Sequence, residues 1–111
     1  MREDRRRLED ILEAINQIEK YANRGRQAFD ADEMLQVWIV YHFQIIGEAA
    51  NGLSSTIQES TSAIPWSDVI GMRNILIHRY WGIDPDIIWS AVEDALPSFK
   101  EQVQTLLTGM K

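Results

Sequence analysis

The sequence predicts an all-α protein, an up-and-down bundle of four to five helices. Apolar residues recur at intervals of three and four in several long segments, whereas no segment alternates as a β-strand does. Helix start and stop signals separate these segments, with no internal repeat or long linker between them. A chain of 111 residues is long enough for one core, so we expect residues 1–111 to form a single domain.

The first predicted helix covers residues 3–22. Its apolar side chains are spaced by three and four residues, with charged residues between them: Leu8, Ile11, Leu12, Ile15, Ile18 and Tyr21. This spacing is typical of a helix that buries one face. Gly25 lies in the segment that follows and is the expected stop.

A second helix is predicted for about residues 31–53, with Asp30 and Glu33 as a variant of the capping box. Apolar side chains cover much of its circumference: Leu35, Trp38, Ile39, Phe43, Ile46, Ala49, Ala50 and Leu53. We therefore expect it to be the central, most buried helix. Gly47 costs a helix interior roughly 1 kcal/mol relative to alanine, so its presence predicts a close crossing with another helix.

A hydroxyl-rich loop is expected at residues 54–64, with a short helical turn at residues 57–60. Pro65 and the residues after it start a third long helix. We expect that helix to end near residues 78–80, because Gly82 follows.

The last predicted helix begins at Asp84 as N-cap with Pro85 in the first turn. Its apolar stripe continues towards the C-terminus. Pro97 falls inside this pattern and is predicted to kink or break the helix. A final helical segment then runs to about residue 108.

Composition limits the classes of function. The chain has no cysteine, which excludes disulfides and thiolate metal sites, and its two histidines lie too far apart in sequence for a local zinc motif. The net charge of −6 argues against a general nucleic-acid coat protein. We interpret the N-terminal arginines, interleaved with acids, as a solvated face. The charged start and the short apolar runs predict a soluble, cytoplasmic protein. No cofactor or metal site is predicted.

The segment from Trp66 to Trp81 contains most of the residues that could perform chemistry, among them Arg73, Asn74 and His78. A buried polar group without a partner costs roughly 1–3 kcal/mol, so these side chains either satisfy one another or open onto a cleft. Asn74 and His78 share a helix face, whereas His78 lies about 140° from Arg73. A long arginine side chain, the helix end or a two-fold dimer could bring these groups together.

Glu48 stands in a small and apolar run of the second helix, next to Gly47. It is either an exposed acid or an inward acid that pairs with Arg73 or orients His78. Both interpretations are open from the sequence, since a buried charge needs a partner but an exposed one does not.

The order Arg73, four residues, His78, one residue, Tyr80, with a polar residue directly after the arginine, resembles the signature of the HEPN superfamily of α-helical ribonucleases. The flanking segments resemble the HepT-like toxins of prokaryotic toxin–antitoxin pairs. They read RRLEDILEAINQIEKY at residues 6–21, IGEAA at 46–50, IPWSDVIGMRNILIHRYWGID at 64–84 and IWSAVEDALP at 88–97. The resemblance covers nearly the whole chain.

The resemblance implies a metal-independent endoribonuclease toxin of a type VII-like pair, usually a homodimer with a composite cleft. It also implies a partner, an MntA-like minimal nucleotidyltransferase antitoxin. In the family that antitoxin neutralises the toxin by attaching AMP to the motif tyrosine, here Tyr80.

The chemistry of the residues is compatible with this role. His78 titrates near neutrality and fits a general base or acid, and Arg73 can bind a phosphate and stabilise added charge. Asn74 and Glu48 would orient these groups, and Tyr80 would contact the phosphate or stack on a base. One alternative is a non-catalytic helical subunit that binds a nucleotidyltransferase or RNA. A purely structural bundle is another.

Overall fold

The structure, a computed structural model, describes residues 2–78 and 84–110, except for the side chains of Arg2, Ile77 and His78. The described residues form helices and no strand, which confirms the all-α class. The helices are α1 (Arg2–Ala22), α2 (Arg26–Ala31), α3 (Glu33–Asn51), α4 (Ser55–Ser60), α5 (Trp66–His78), α6 (Pro85–Ser90), a π-helical turn (Ala91–Ala95) and α7 (Leu96–Gly109).

Helix α3 is central, as predicted. It packs against α1 and against α5, and α7 packs on α1. The side chains that α3 buries are Leu35, Ile39, His42, Phe43, Ile46, Ala49 and Ala50. They meet an equally regular stripe from α1: Leu8, Ile11, Ile15 and Ile18. No helix in the described ranges combines the length and the apolar character needed to cross a bilayer.

The start of α3 differs from the prediction. Asp32 is the N-cap, since its carboxylate accepts hydrogen bonds from the backbone N–H groups of Met34 and Leu35. Asp30 instead lies in the short helix α2, where its carboxylate pairs with the guanidinium of Arg26, 2.8 Å away. These two residues are four apart, the spacing at which opposite charges attract on one helix face.

Pro97 does not break the last helix, since helical structure continues from Pro85 to Gly109, but a π-helical turn interrupts the α-helix just before it. A proline removes one helical hydrogen bond, and its ring collides with the carbonyl four residues earlier. The π-helical turn that precedes Pro97 relieves this collision, because the N–H of Leu96 bonds to the carbonyl of Ala91, five residues back. Residues 85–109 are therefore one continuous helical rod whose second part buries Leu96, Phe99 and Val103.

Asp4 joins the start of α1 to the start of α4. Its buried carboxylate accepts hydrogen bonds from the backbone N–H of Ser54 at 2.9 Å and from its hydroxyl at 2.7 Å. Burial raises the pKa of the Asp4 carboxyl, but the Ser54 hydrogen bonds and the charge of Arg7 lower it more. The pKa therefore lies below its ordinary value of 3.8.

Asp4→Asn is expected to lower the free energy of unfolding at neutral pH by about 1–3 kcal/mol, because the amide meets the Ser54 donors with its own NH2 group. A carboxyl whose pKa is depressed by folding stabilises fully above its unfolded pKa, and this contribution disappears as the pH falls through the folded pKa. Urea unfolding between neutral and acid pH should show less acid sensitivity in the variant. Asp10→Asn, at an exposed position of α1, is the control. An unchanged acid slope in Asp4→Asn contradicts the assignment.

Candidate active site

Arg73 is positioned by a close contact between α5 and α3. A Cβ atom added to Gly47 would lie 2.1 Å from the Cβ of Arg73 and 2.6 Å from its Cγ. Only a residue without a side chain fits there. The predicted close crossing at Gly47 is confirmed, and its other partner is Arg73 itself.

The guanidinium of Arg73 reaches along α3 to Glu48. Nη1 of Arg73 lies 3.0 Å from Oε1 of Glu48, and the side chain of Arg73 is 17% exposed whereas that of Glu48 is 61% exposed. Glu48 is therefore exposed, as the first interpretation holds, and its carboxylate faces solvent. It also pairs with Arg73, the partner that the second interpretation names.

This ion pair is suited to exchange. Glu48 is exposed, so an incoming phosphate can reach the pair, replace the carboxylate and keep the mostly buried guanidinium of Arg73 paired. The Nε of Arg73 is buried and has no hydrogen-bond partner among the described residues. The guanidinium thus has one donor that no described group satisfies.

Asn74 and His78 follow Arg73 along α5. Asn74 is exposed. Helix α5 runs without interruption to His78, so the spacing of four residues from Asn74 corresponds to about one helical turn. The side chain of His78 and the whole of Tyr80 lie outside the described residues. The structure thus brings Arg73 and Glu48 together and places Asn74 on the adjacent surface.

Arg7 is the residue of this region that the sequence interpretation missed. It lines a cleft of about 510 Å³ between α1 and α3, which Glu48 and His42 also line. The imidazole of His42 is buried and donates from Nδ1 to the carbonyl of Trp38 at 2.7 Å. Arg7 is adjacent to the buried Leu8, and this helical periodicity already separates it from the exposed Arg6.

A second cleft, of about 430 Å³, lies between α5 and the C-terminal rod. Its described lining contains one ionisable side chain, Asp68, among mostly apolar residues such as Phe43, Met72 and Phe99. General acid–base or phosphate chemistry requires more than one exposed carboxylate. We therefore assign the candidate site to Arg73 and its surroundings.

Comparison with known proteins identifies the family of this chain. A family model described as Ribonuclease HepT-like matches residues 11–106. The chain is 34% identical to a Thermococcus cleftensis protein named as a probable ribonuclease HepT, over 89% of this chain and 91% of that protein. It is 33% identical to a Methanocaldococcus jannaschii protein named as a candidate RNase, over 87% and 90% of the two chains.

A further relative, from Caldanaerobacter subterraneus and also named as a candidate RNase, is 34% identical over the full length of both proteins. No solved structure matches this chain. The family match covers most of the described helices, including α3 and α5, which hold Glu48 and Arg73. The chain therefore belongs to the Ribonuclease HepT-like family.

Proposed function

We propose that this protein is a metal-independent endoribonuclease in which Arg73 binds the scissile phosphate of RNA. The observation that carries the proposal is the setting of Arg73, held by the Gly47 contact and paired with an exposed carboxylate that a phosphate can replace. Membership of a ribonuclease family supports RNA as the substrate. Arginine suits this role, because its guanidinium can donate two parallel hydrogen bonds to a phosphate.

In the proposed reaction, His78 acts as the general base and takes the proton of the 2′-hydroxyl. The 2′-oxygen then attacks the phosphorus and the bond to the 5′-oxygen breaks. An acid protonates the leaving oxygen, so the products are a 2′,3′-cyclic phosphate and a 5′-hydroxyl. Arg73 stabilises the negative charge of the phosphorane. Glu48 orients Arg73 until the phosphate replaces it, Asn74 orients His78, and Tyr80 contacts the phosphate or stacks on a base.

A homodimer would supply the missing acid, since each chain offers one His78. Exposed Asn74 and Ile75, 55% exposed, give α5 a partly apolar surface next to Arg73. This surface supports a two-fold contact in which the histidine of each copy completes the cleft. Ile75→Glu should dissociate the dimer and abolish cleavage. A monomer that cleaves as fast as the wild type refutes the shared site.

The proposed regulator is an MntA-like nucleotidyltransferase antitoxin acting on the toxin in the cytoplasm, in a type VII-like pair. The phenol oxygen of Tyr80 would attack the α-phosphorus of ATP, forming a phosphodiester to AMP and releasing pyrophosphate. Intact mass of the protein co-expressed with its genomic neighbour should show added AMP. A peptide map should place the modification on Tyr80, and AMP on another residue contradicts this part of the proposal.

The nuclease itself is tested with labelled single-stranded RNA and excess EDTA. We expect cleavage to products with cyclic-phosphate ends, and loss of cleavage in His78→Ala. RNA binding without cleavage by the wild type instead supports a non-catalytic RNA-binding subunit. Activity that EDTA abolishes and a divalent cation restores refutes metal independence.

A further inference from the structure

Arg7 occupies a position comparable to that of Arg73, on the other side of Glu48. Its guanidinium lies against Gly52, where an added Cβ would be 2.4 Å from Cζ and Nη1 of Arg7. Gly52 follows Glu48 by four residues at the end of α3, so the two positions share one face of the helix. Glu48 is thus flanked by two arginines, one from α1 and one from α5.

The two arginines also share an unusual hydrogen-bonding state. Among the side-chain nitrogen and oxygen atoms of the described residues, the Nε atoms of Arg7 and Arg73 are the two that are buried without a hydrogen-bond partner. Buried polar groups are almost always satisfied in native proteins. A small outward movement of each side chain onto a bound phosphate would relieve both.

Two other arginines, Arg5 and Arg26, are already bound within the protein. Arg5 donates to the carbonyl of Met110 and pairs with Glu9, and Arg26 pairs with Asp30 and Asp86. Arg7 has no ion pair with any carboxylate in the described ranges. Its charge lowers the pKa of Asp4 from a distance, and without an ion pair its guanidinium can still donate to a ligand in the cleft.

We propose that Arg7 is a second phosphate-binding residue, which holds a phosphate neighbouring the one bound by Arg73. This inference rests on the proposed function and extends it to the path of the RNA strand. Gly47 and Gly52 are five residues apart on α3, which corresponds to a rise of about 7.5 Å and a rotation of about 140°. Glu48 lies between these two positions, pairs with Arg73 and lines the same cleft as Arg7, so a strand that passes over Glu48 can contact both arginines. Asp10 and Glu13 line the cleft beyond Arg7. They repel phosphate, so the strand leaves the cleft at Arg7.

The test uses the intact protein and a mixed-sequence RNA oligonucleotide with 2′-O-methyl groups, which cannot be cut by attack of the 2′-oxygen. Binding is measured as a function of salt concentration. Arg7→Ala should lower the slope of log K against log salt by about one, because one phosphate contact is lost. Arg7→Lys retains the charge and should retain the slope. Arg6→Ala, at the exposed neighbouring position, should leave the slope unchanged.

Cleavage of unmodified RNA gives the second readout. Arg7→Ala should raise KM at least tenfold, which corresponds to about 1.4 kcal/mol, because a hydrogen bond to a charged group is lost; kcat should not change. Gly52→Ala should also raise KM without removing any charge, since its Cβ would displace the guanidinium of Arg7. If Arg7 had only a structural role, Arg7→Ala would lower the thermal stability but would change neither the salt slope nor KM.

The two proposals fail differently. If Arg7→Ala has the same KM and salt slope as the wild type, the proposed role of Arg7 is wrong and the nuclease proposal is unaffected. If the wild type binds the modified RNA but does not cut unmodified RNA, the nuclease mechanism is wrong. The salt slope of Arg7→Ala then still tests the role of Arg7. Wild-type protein that binds no RNA overturns both.

Discussion

Arg73→Ala is expected to lower kcat for RNA cleavage by about 10²–10³-fold, the usual cost of removing one donor that stabilises charge in a transition state. Arg73→Lys should recover little of this loss. A lysine presents a point charge on a flexible chain, whereas the guanidinium offers a planar pair of donors that matches phosphate. Single-turnover rates on labelled RNA measure the effect on chemistry directly.

Arg24→Ala is the matched control for this loss, because Arg24 is exposed and stacks on Tyr21 away from Arg73. It should cleave at the wild-type rate. The free energy of unfolding of Arg73→Ala must be measured in parallel, so that loss of fold is separated from loss of chemistry. A folded Arg73→Ala variant that retains wild-type kcat removes Arg73 from the mechanism.

Gly47→Ala should lower cleavage by about 10²-fold, although Gly47 carries no functional group. Its new Cβ would start 2.1 Å from the Cβ of Arg73, whereas carbon atoms in contact prefer separations of about 3.5–4.0 Å. Helix α5 must therefore move away from α3 by more than 1 Å at Arg73, by subtraction of these distances. A misplacement of about 1 Å costs as much as 10²-fold in rate.

The same substitution should also reduce stability. Overpacking costs about 1–3 kcal/mol, which exceeds the gain of about 1 kcal/mol in helix propensity. Gly71→Ala is the control, since Gly71 lies on α5 with no atom within 4 Å of the added Cβ. It should gain up to about 1 kcal/mol of stability and keep full activity. Wild-type cleavage by Gly47→Ala would mean that the crossing does not position Arg73.

Much of the fold could be predicted because its signals are local. The buried stripe of α1 and the cap at Asp84 depend on residue spacing within a few turns, and both were found where they were expected. The boundary between α2 and α3 could not be predicted, since Asp30 and Asp32 are equally good caps. The carboxylate of Asp30 pairs with Arg26 inside α2, and Asp32 is the residue that caps α3.

The candidate site, too, could be predicted only in part from the sequence. Arg73 and Glu48 were proposed from residue type, spacing and the family resemblance, but their separation and the exposure of Glu48 depend on how α3 crosses α5. Arg7 was assigned to a solvated face, because a run of arginines among acids is usually solvated. Its position in the cleft follows from the packing of α1 on α3, which brings residues 7 and 52 together.

Sequence alone was sufficient for the all-α class, the central helix, the close crossing at Gly47 and the resemblance to a ribonuclease family. Each of these depends on periodicity, capping or a short pattern of residues, and such signals act over a few helical turns. The grouping of Arg7, Glu48 and Arg73 required the tertiary structure. These residues belong to three different helices, and only the packing of α1 and α5 on α3 places two arginines around one exposed carboxylate.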